Sequence, residues 1–182
     1  MKIKIFCDSA DLKIIKKLNN NPLVSGFTTN PSLMRLAGAN DYKKYSLKLL
    51  EVCKKKPISL EVFGDTTGEM LKQANTINSW GQNVYVKIPV VNSKGIFSGK
   101  VISILSKNGV KLNITAVYTV HQVKKIIKRI NKDSKIIISI FSGRMGDIGK
   151  DPIPIIKESV RLTKRLRNVK ILWASTREAY NY

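Results

Sequence analysis

One lysine stands where a strand offers no obvious use for it. Val84-Tyr85-Val86-Lys87-Ile88-Pro89-Val90 reads as a short buried β-strand, β-branched and aromatic, closed by a proline. Lys87 lies near its carboxyl end. It either guards an exposed strand edge or is held inside for chemistry. Desolvation and nearby cations favour the neutral amine of a lysine held inside, and a neutral amine attacks carbonyl carbon. Other strand ends carry similar outliers. In chain order they are Asp8; Thr28 and Asn30; Glu61; Lys87; Asn113 and Thr115; Ser139 with nearby Arg144; then Ser175 and Arg177. The set contains one amine, two carboxylates and two arginines. It offers a nucleophile, proton carriers and a clamp for an anion such as phosphate.

The elements that must position these residues alternate strand with helix. Strands are expected at 3–7, 24–27, 58–62, 84–88, 111–115, 136–141 and 169–174. Helices between them carry apolar residues at helical spacing. Leu12, Ile15 and Leu18 mark the first. Tyr42, Tyr45, Leu49, Val52 and Cys53 mark another, capped by Asn40 or Asp41. Thr66-Thr67-Gly68-Glu69 has capping-box spacing ahead of Met70, Leu71, Ala74 and Ile77. Val101, Ile102 and Leu105 follow the fourth strand, and Val120, Val123, Ile126, Ile127 and Ile130 form the cleanest stripe. Pro152 suits the first turn of a helix burying Ile155, Ile156, Val160 and Thr163, and Thr176–Tyr182 reads as the start of one more helix.

Such alternation argues for an α/β fold with parallel strands, either an open doubly wound sheet or a TIM (β/α)8-type barrel. Strands of a parallel sheet are buried on both faces, which accounts for their continuous apolar runs. No G-x-G-x-x-G follows the first strand, so a dinucleotide-binding sheet has no support. Gly143 to Gly149-Lys150 imitates a P-loop, but five residues separate the glycines and Asp151 stands where Ser or Thr is required. In a parallel barrel the chemistry collects at the carboxyl ends of the strands, where the polar residues fall.

The 182 residues suit a single domain, 1–182, and 43% apolar residues are enough for a sizeable core. No apolar run reaches the length of a membrane-spanning helix, about 18 residues. The N-terminus turns acidic too soon for a signal peptide. Cys7 and Cys53 lack metal-ligand spacing and suit buried thiols in a reducing cytosol, so a cytoplasmic location is expected. With His121 the one histidine, a His-rich metal site is not available, and neither metal nor cofactor is expected. The net charge of +21 invites a nucleic-acid reading. Its lysines recur on the polar sides of helices along the whole chain, however. No nucleic-acid-binding signature accompanies them, so a solvated surface that draws in small phosphate-bearing anions is expected instead.

Read together, the motifs resemble the transaldolase family, including its small fructose-6-phosphate aldolase branch. The resemblance rests on Phe6-Cys7-Asp8-Ser9-Ala10, Gly26-Phe27-Thr28-Thr29-Asn30-Pro31-Ser32-Leu33, Ser59-Leu60-Glu61-Val62, Val86-Lys87-Ile88-Pro89, Asn113-Ile114-Thr115, Ser139 to Gly149 and Ala174-Ser175-Thr176-Arg177. It implies a class I mechanism in which Lys87 forms a Schiff base with a ketose phosphate. Asp8 would take the C4 hydroxyl proton, and Glu61 with Thr115 would handle the water lost on dehydration. Thr28, Asn30, Asn113 and Ser139 would contact the sugar, and Phe141 would line the pocket. Arg144, Ser175 and Arg177 would hold the phosphate. The aldolase branch carries glutamine and tyrosine at the positions of Glu61 and Phe141, so the resemblance favours transfer of a dihydroxyacetone unit over its release. It also implies sugar-phosphate substrates and a homo-oligomer. The family's eighth strand and following C-terminal helix have no counterpart in these 182 residues, so a barrel truncated after its seventh strand is expected: a fragment, a barrel closed by a partner, or an open one whose edge would expose Asp8 and Arg177 to water.

Overall fold

A computed structural model describes residues 3–177. The expected helix at Thr176–Tyr182 therefore lies outside the described residues, apart from its first two positions. The elements run β1 (Ile5–Asp8), α1 (Leu12–Asn19), β2 (Val24–Thr28), α2 (Pro31–Leu36), α3 (Tyr42–Val52), β3 (Ile58–Glu61), α4 (Thr67–Asn78), β4 (Val84–Pro89), α5 (Gly99–Lys107), β5 (Leu112–Val117), α6 (Val120–Ile127), β6 (Ile136–Ile140), α7 (Ser142–Gly146), α8 (Ile153–Thr163) and β7 (Val169–Trp173). All seven expected strands are present, and their order in the sheet follows the chain from β1 to β7. Sequential strands joined by helical crossovers are the α/β arrangement of a TIM-type barrel, here with seven strands among the described residues.

The chain divides into two compact units, Met1–Phe63 with Gln73–Val86, and Gly64–Lys72 with Lys87–Tyr182. In the first unit β1 pairs in parallel with β2, and β2 with β3. The Ile58 N–H donates to the Asn83 carbonyl at 3.1 Å, which brings the chain entering β4 alongside β3. In the second unit β5 pairs in parallel with β6, and β6 with β7. The Val90 N–H donates to the Thr115 carbonyl at 2.9 Å and ties the end of β4 to β5.

Alternation along the strands separates an apolar face from a mixed one. Phe27, Ile58, Leu60, Val86, Ile88, Leu112, Ile114, Ile138 and Ile140 are all fully buried. Between them, on the opposite side of their own strands, come Thr28, Ser59, Lys87, Asn113 and Ser139, which are buried as well. Both faces are thus covered, as expected for parallel strands, but the second face carries the polar groups.

Local chemistry sets the helix ends. Asp11 accepts from the Lys13 and Ile14 N–H groups at 2.7 and 3.0 Å, and Asp41, one of the two expected caps, accepts from Lys44 at 2.9 Å. The capping box at α4 forms: Glu69 Oε2 accepts from the Thr66 N–H at 3.0 Å while the Glu69 N–H reaches Thr66 Oγ1 at 3.3 Å. Two expected faces are rotated. On α3 the buried residues are Ser46, Leu49 and Leu50, followed by Cys53, while Tyr42 and Tyr45 lie at the margin. Their hydroxyls need polar partners, and each finds a backbone carbonyl. On α8 the buried pair is Ser159 and Thr163, and Val160 is exposed. The small residues Ser159 and Thr163 allow the helix to approach closely, and the Thr163 hydroxyl returns to the Ser159 carbonyl at 2.9 Å.

Candidate active site

Lys87 is 7% exposed, between Val86 and Ile88, which are fully buried. It is therefore not an edge lysine reaching water. In a parallel pair the Val90–Thr115 hydrogen bond sets Pro89 opposite Thr115, and two residues back Lys87 falls opposite Asn113, on the same face as Asn113 and Thr115. The β5–β6 register, Asn113 with Ile137, adds Ser139 to that face. Ser139 Oγ donates to Asn113 Oδ1 at 2.7 Å, so these two expected sugar contacts hold each other in place. Thr115 Oγ1 is buried and has no hydrogen-bond partner among the described residues. A hydroxyl left in that state costs roughly 1–3 kcal/mol unless something else satisfies it.

The backbone after Thr115 is unusual. Ala116 adopts φ 57°, the left-handed region that non-glycine residues seldom occupy, and the β5–β6 register shifts between Ile114 and Val117. This bulge turns the chain between Thr115 and Tyr118. Beyond it, Tyr118 meets the Phe141 ring edge-on, with centroids 5.7 Å apart. The Arg144 guanidinium lies over the other aromatic partner, Phe141, 5.4 Å from its centroid. Phe141 is half-buried and Arg144 exposed.

Arg144 sits on α7, a five-residue helix that the sequence reading did not include. Ser175 lies against this helix. It too has a left-handed backbone, φ 61°, and its carbonyl oxygen comes within 1.6 Å of where a Cβ on Gly143 would stand. Only glycine fits there. The same hypothetical Cβ is 3.1 Å from Arg177 Cγ, so the Arg177 stem also lies over Gly143, next to Arg144. Arg177 Nε and Nη2 both reach Asp147 Oδ2, at 3.1 Å each. The three expected phosphate residues, Arg144, Ser175 and Arg177, thus converge on α7.

The loop after β4 is held by one carboxylate. Asp65 accepts from the Ser93 N–H and the Ser93 hydroxyl, each at 2.7 Å. These bonds hold the Asp65 carboxyl below its ordinary range. The loop that continues from Lys87 is thereby fixed a few residues away.

In the first unit Asp8 and Thr28 stand opposite each other at the ends of β1 and β2, and Thr28 Oγ1 donates to Asp8 Oδ1 at 2.7 Å. Asp8 is exposed, as is Arg177. Beside Asp8, burial pushes the Cys7 thiol up, with the Asp8 charge adding to it. Asn30 also has a structural duty, in keeping with the helix-start chemistry of Thr28-Thr29-Asn30-Pro31-Ser32. Its Oδ1 accepts from the Leu33 N–H at 2.9 Å and caps α2. The other end of the side chain, its amide NH2, is a donor. Glu61 closes β3 in a half-buried position, and its backbone carbonyl accepts from the Tyr42 hydroxyl at 2.9 Å. The Tyr42 phenol is itself pushed up, chiefly by burial.

Among the described residues the second unit thus gathers a buried strand lysine, a polar face beside it and two arginines at α7. Comparison with known proteins decides the family. The model for transaldolase/fructose-6-phosphate aldolase matches residues 5–182. The chain belongs to that family. A probable transaldolase of Streptococcus equi subsp. zooepidemicus is 36% identical over 158 residues, 86% of this chain and 68% of that relative. One from Streptococcus agalactiae is 37% identical over 156 residues, with the same coverages, and one from Dehalococcoides mccartyi is 35% identical over 162 residues, 89% of this chain and 71% of the relative. The chain thus spans about two thirds of the length of these relatives. Among solved structures, a dihydrodipicolinate synthase from Rhodopseudomonas palustris aligns with a TM-score of 0.47 at 12% identity, over 94% of this chain and 65% of that one.

Among the described residues no group of three or more histidine, cysteine or acidic side chains is arranged to hold a metal. No described helix is long and apolar enough to cross a membrane.

Proposed function

We propose that the protein moves a dihydroxyacetone unit from a ketose phosphate to an aldose phosphate through a Schiff base on Lys87. The observation that carries this reading is the burial of Lys87, 7% exposed, on a strand face shared with Asn113 and Thr115. The Lys87 amine adds to the C2 carbonyl of the donor, and the carbinolamine loses water to give an iminium. The C4 hydroxyl then gives up its proton, the C3–C4 bond breaks, and the electron pair is held by the iminium as an enamine. The aldehyde leaves. The enamine carbon attacks the carbonyl of an acceptor aldehyde, and water releases the new ketose from Lys87.

In this reading the family pattern gives Asp8 the C4 hydroxyl proton, and gives Glu61 and Thr115 the water that leaves and returns. The partnerless Thr115 Oγ1 suits a group that waits for a water or a substrate oxygen. Asn113 and Ser139, already hydrogen-bonded to each other, offer a fixed polar surface for sugar hydroxyls; Thr28 and the Asn30 amide serve the same purpose. Arg144, Ser175 and Arg177 bind the phosphate, with Phe141 beneath Arg144. No cofactor takes part.

The test is product analysis with fructose 6-phosphate, with and without erythrose 4-phosphate. Transfer yields at most one glyceraldehyde 3-phosphate per site without the acceptor, and continued turnover with a seven-carbon ketose phosphate only when the acceptor is present. Release of free dihydroxyacetone without acceptor would assign an aldolase instead. Absence of both products from folded protein would leave a sugar-phosphate-binding relative.

A further inference from the structure

We propose that Asp147 is the positioning residue that aims Arg177 at a substrate phosphate. The inference rests on the reading of Arg144 and Arg177 as the anion clamp, and goes beyond it by naming what fixes the second arginine. A guanidinium on a long flexible stem loses rotational freedom when it binds an anion, and that loss weakens binding unless the side chain is held beforehand. Arg144 has the Phe141 ring beneath it, with Tyr118 behind that ring. Arg177 lies beyond the end of β7, at the edge of the described residues. Its stem passes over Gly143, and its Nε–Nη2 edge meets Asp147 Oδ2 at 3.1 Å. A planar guanidinium anchored along one edge has its plane and its other edge fixed, which suits forked recognition of phosphate.

Two further observations support positioning over a stability role. Arg177 and Asp147 are 44% and 47% exposed, and ion pairs this open contribute little to folding. Asp147 also ends α7, the helix that carries Arg144, with its N–H on the Gly143 carbonyl at 3.0 Å. One short helix therefore bears the first arginine and the carboxylate that orients the second. The contact joins residues 30 apart in the chain, so it also ties the turn at Ser175 to α7.

The sign of the effect is diagnostic. By Coulomb attraction alone, removing a carboxylate beside two arginines strengthens anion binding. If Asp147 positions Arg177, removing it weakens binding. The experiment is calorimetric titration of the intact protein with inorganic phosphate, for wild type, Asp147→Asn, Asp147→Glu, Arg177→Ala and the Asp147→Asn/Arg177→Ala double variant. Circular dichroism and thermal melting establish that each variant is folded.

The expected result is about tenfold weaker phosphate binding in Asp147→Asn, the lower end of what losing an orienting partner costs at metal sites. Partial recovery is expected in Asp147→Glu, and no added loss from Asp147→Asn in the Arg177→Ala background. Unchanged or tighter binding in Asp147→Asn overturns the proposal, as does an equal loss with Arg177 already removed. Wild type that does not bind phosphate overturns it as well. Because binding needs no turnover, wild type that binds phosphate but forms no imine would defeat the catalytic reading and leave the role of Asp147 standing.

Discussion

Gly143→Ala tests whether the contact between α7 and the Ser175 turn builds the anion clamp. The added Cβ would stand 1.6 Å from the Ser175 carbonyl oxygen and 2.7 Å from its carbon, where at least 3.0 Å is needed. The obstacle is backbone, so no side-chain rotation relieves it. Either α7 or the Ser175–Arg177 segment must retreat by about 1.4 Å, the shortfall between those two distances. Displacements of about 1 Å at a positioned group cost on the order of a hundredfold in rate. Overpacking a well-filled site costs about 1–3 kcal/mol of stability. Gly146→Ala is the internal control. It lies three residues along the same helix, with nothing within 4 Å of its added Cβ and no positive φ to lose. Helix propensity gives that change up to about 1 kcal/mol of stabilisation. The assay is phosphate affinity by calorimetry together with thermal unfolding of both variants. Gly143→Ala should lose at least tenfold in phosphate affinity and melt earlier, while Gly146→Ala keeps its affinity and melts no earlier. If the two alanines behave alike, the close approach of Ser175 to Gly143 has no part in binding.

Two more outcomes follow from buried groups. Thr115→Val removes the hydroxyl that lacks a partner and keeps the shape of the side chain, so it should raise stability by about 1 kcal/mol while slowing imine formation. Urea unfolding and rapid-mixing trapping measure the two effects, and a fall in stability would mean that Thr115 has a structural bond in solution. Cys53 is fully buried, and desolvation pushes its thiol from 9.0 up to about 11. Its folded pKa is thus raised above the unfolded one, so its share of stability is present below 9.0 and is lost as pH rises toward about 11. The stability gap between wild type and Cys53→Ala should narrow across that interval. A constant gap, or Cys53 alkylated in folded protein as fast as a free thiol, would contradict the burial.

Residues that broke a local pattern were the legible ones. Lys87 in an apolar run, Asn113 and Thr115 between β5 aliphatics, and Ser139 within a string of isoleucines all turned out buried on polar strand faces. The alternation of apolar stripes with β-branched runs located the seven strands found among the described residues, but it left open sheet and barrel undecided; the barrel, whose strand order the sheet follows, was expected from the family resemblance. Three features were not legible, each for a physical reason. α7 is five residues, Ser-Gly-Arg-Met-Gly, too short and too glycine-rich for helical periodicity to show. Ala116 and Ser175 carry left-handed backbone that their side chains do not announce, since tertiary contacts impose it. Asp147 and Arg177 meet across 30 residues, which only the fold reveals, although Asp147 three residues after Arg144 was a hint that both share a helical turn. Asn30 illustrates a mixed case. It was read as a sugar contact, but Asn-Pro-Ser is also a helix start, and its carbonyl oxygen serves that purpose.

The central claim is that Lys87 is the nucleophile, and borohydride trapping tests it most directly. The protein is mixed with fructose 6-phosphate, reduced, and weighed as intact chain and as peptides, beside Lys87→Ala. The account predicts a dihydroxyacetone-sized adduct on the peptide containing Lys87 and none in the variant, which would establish imine formation and carbon–carbon cleavage together. Folded protein that gains no adduct, or an adduct that persists in Lys87→Ala, would contradict it.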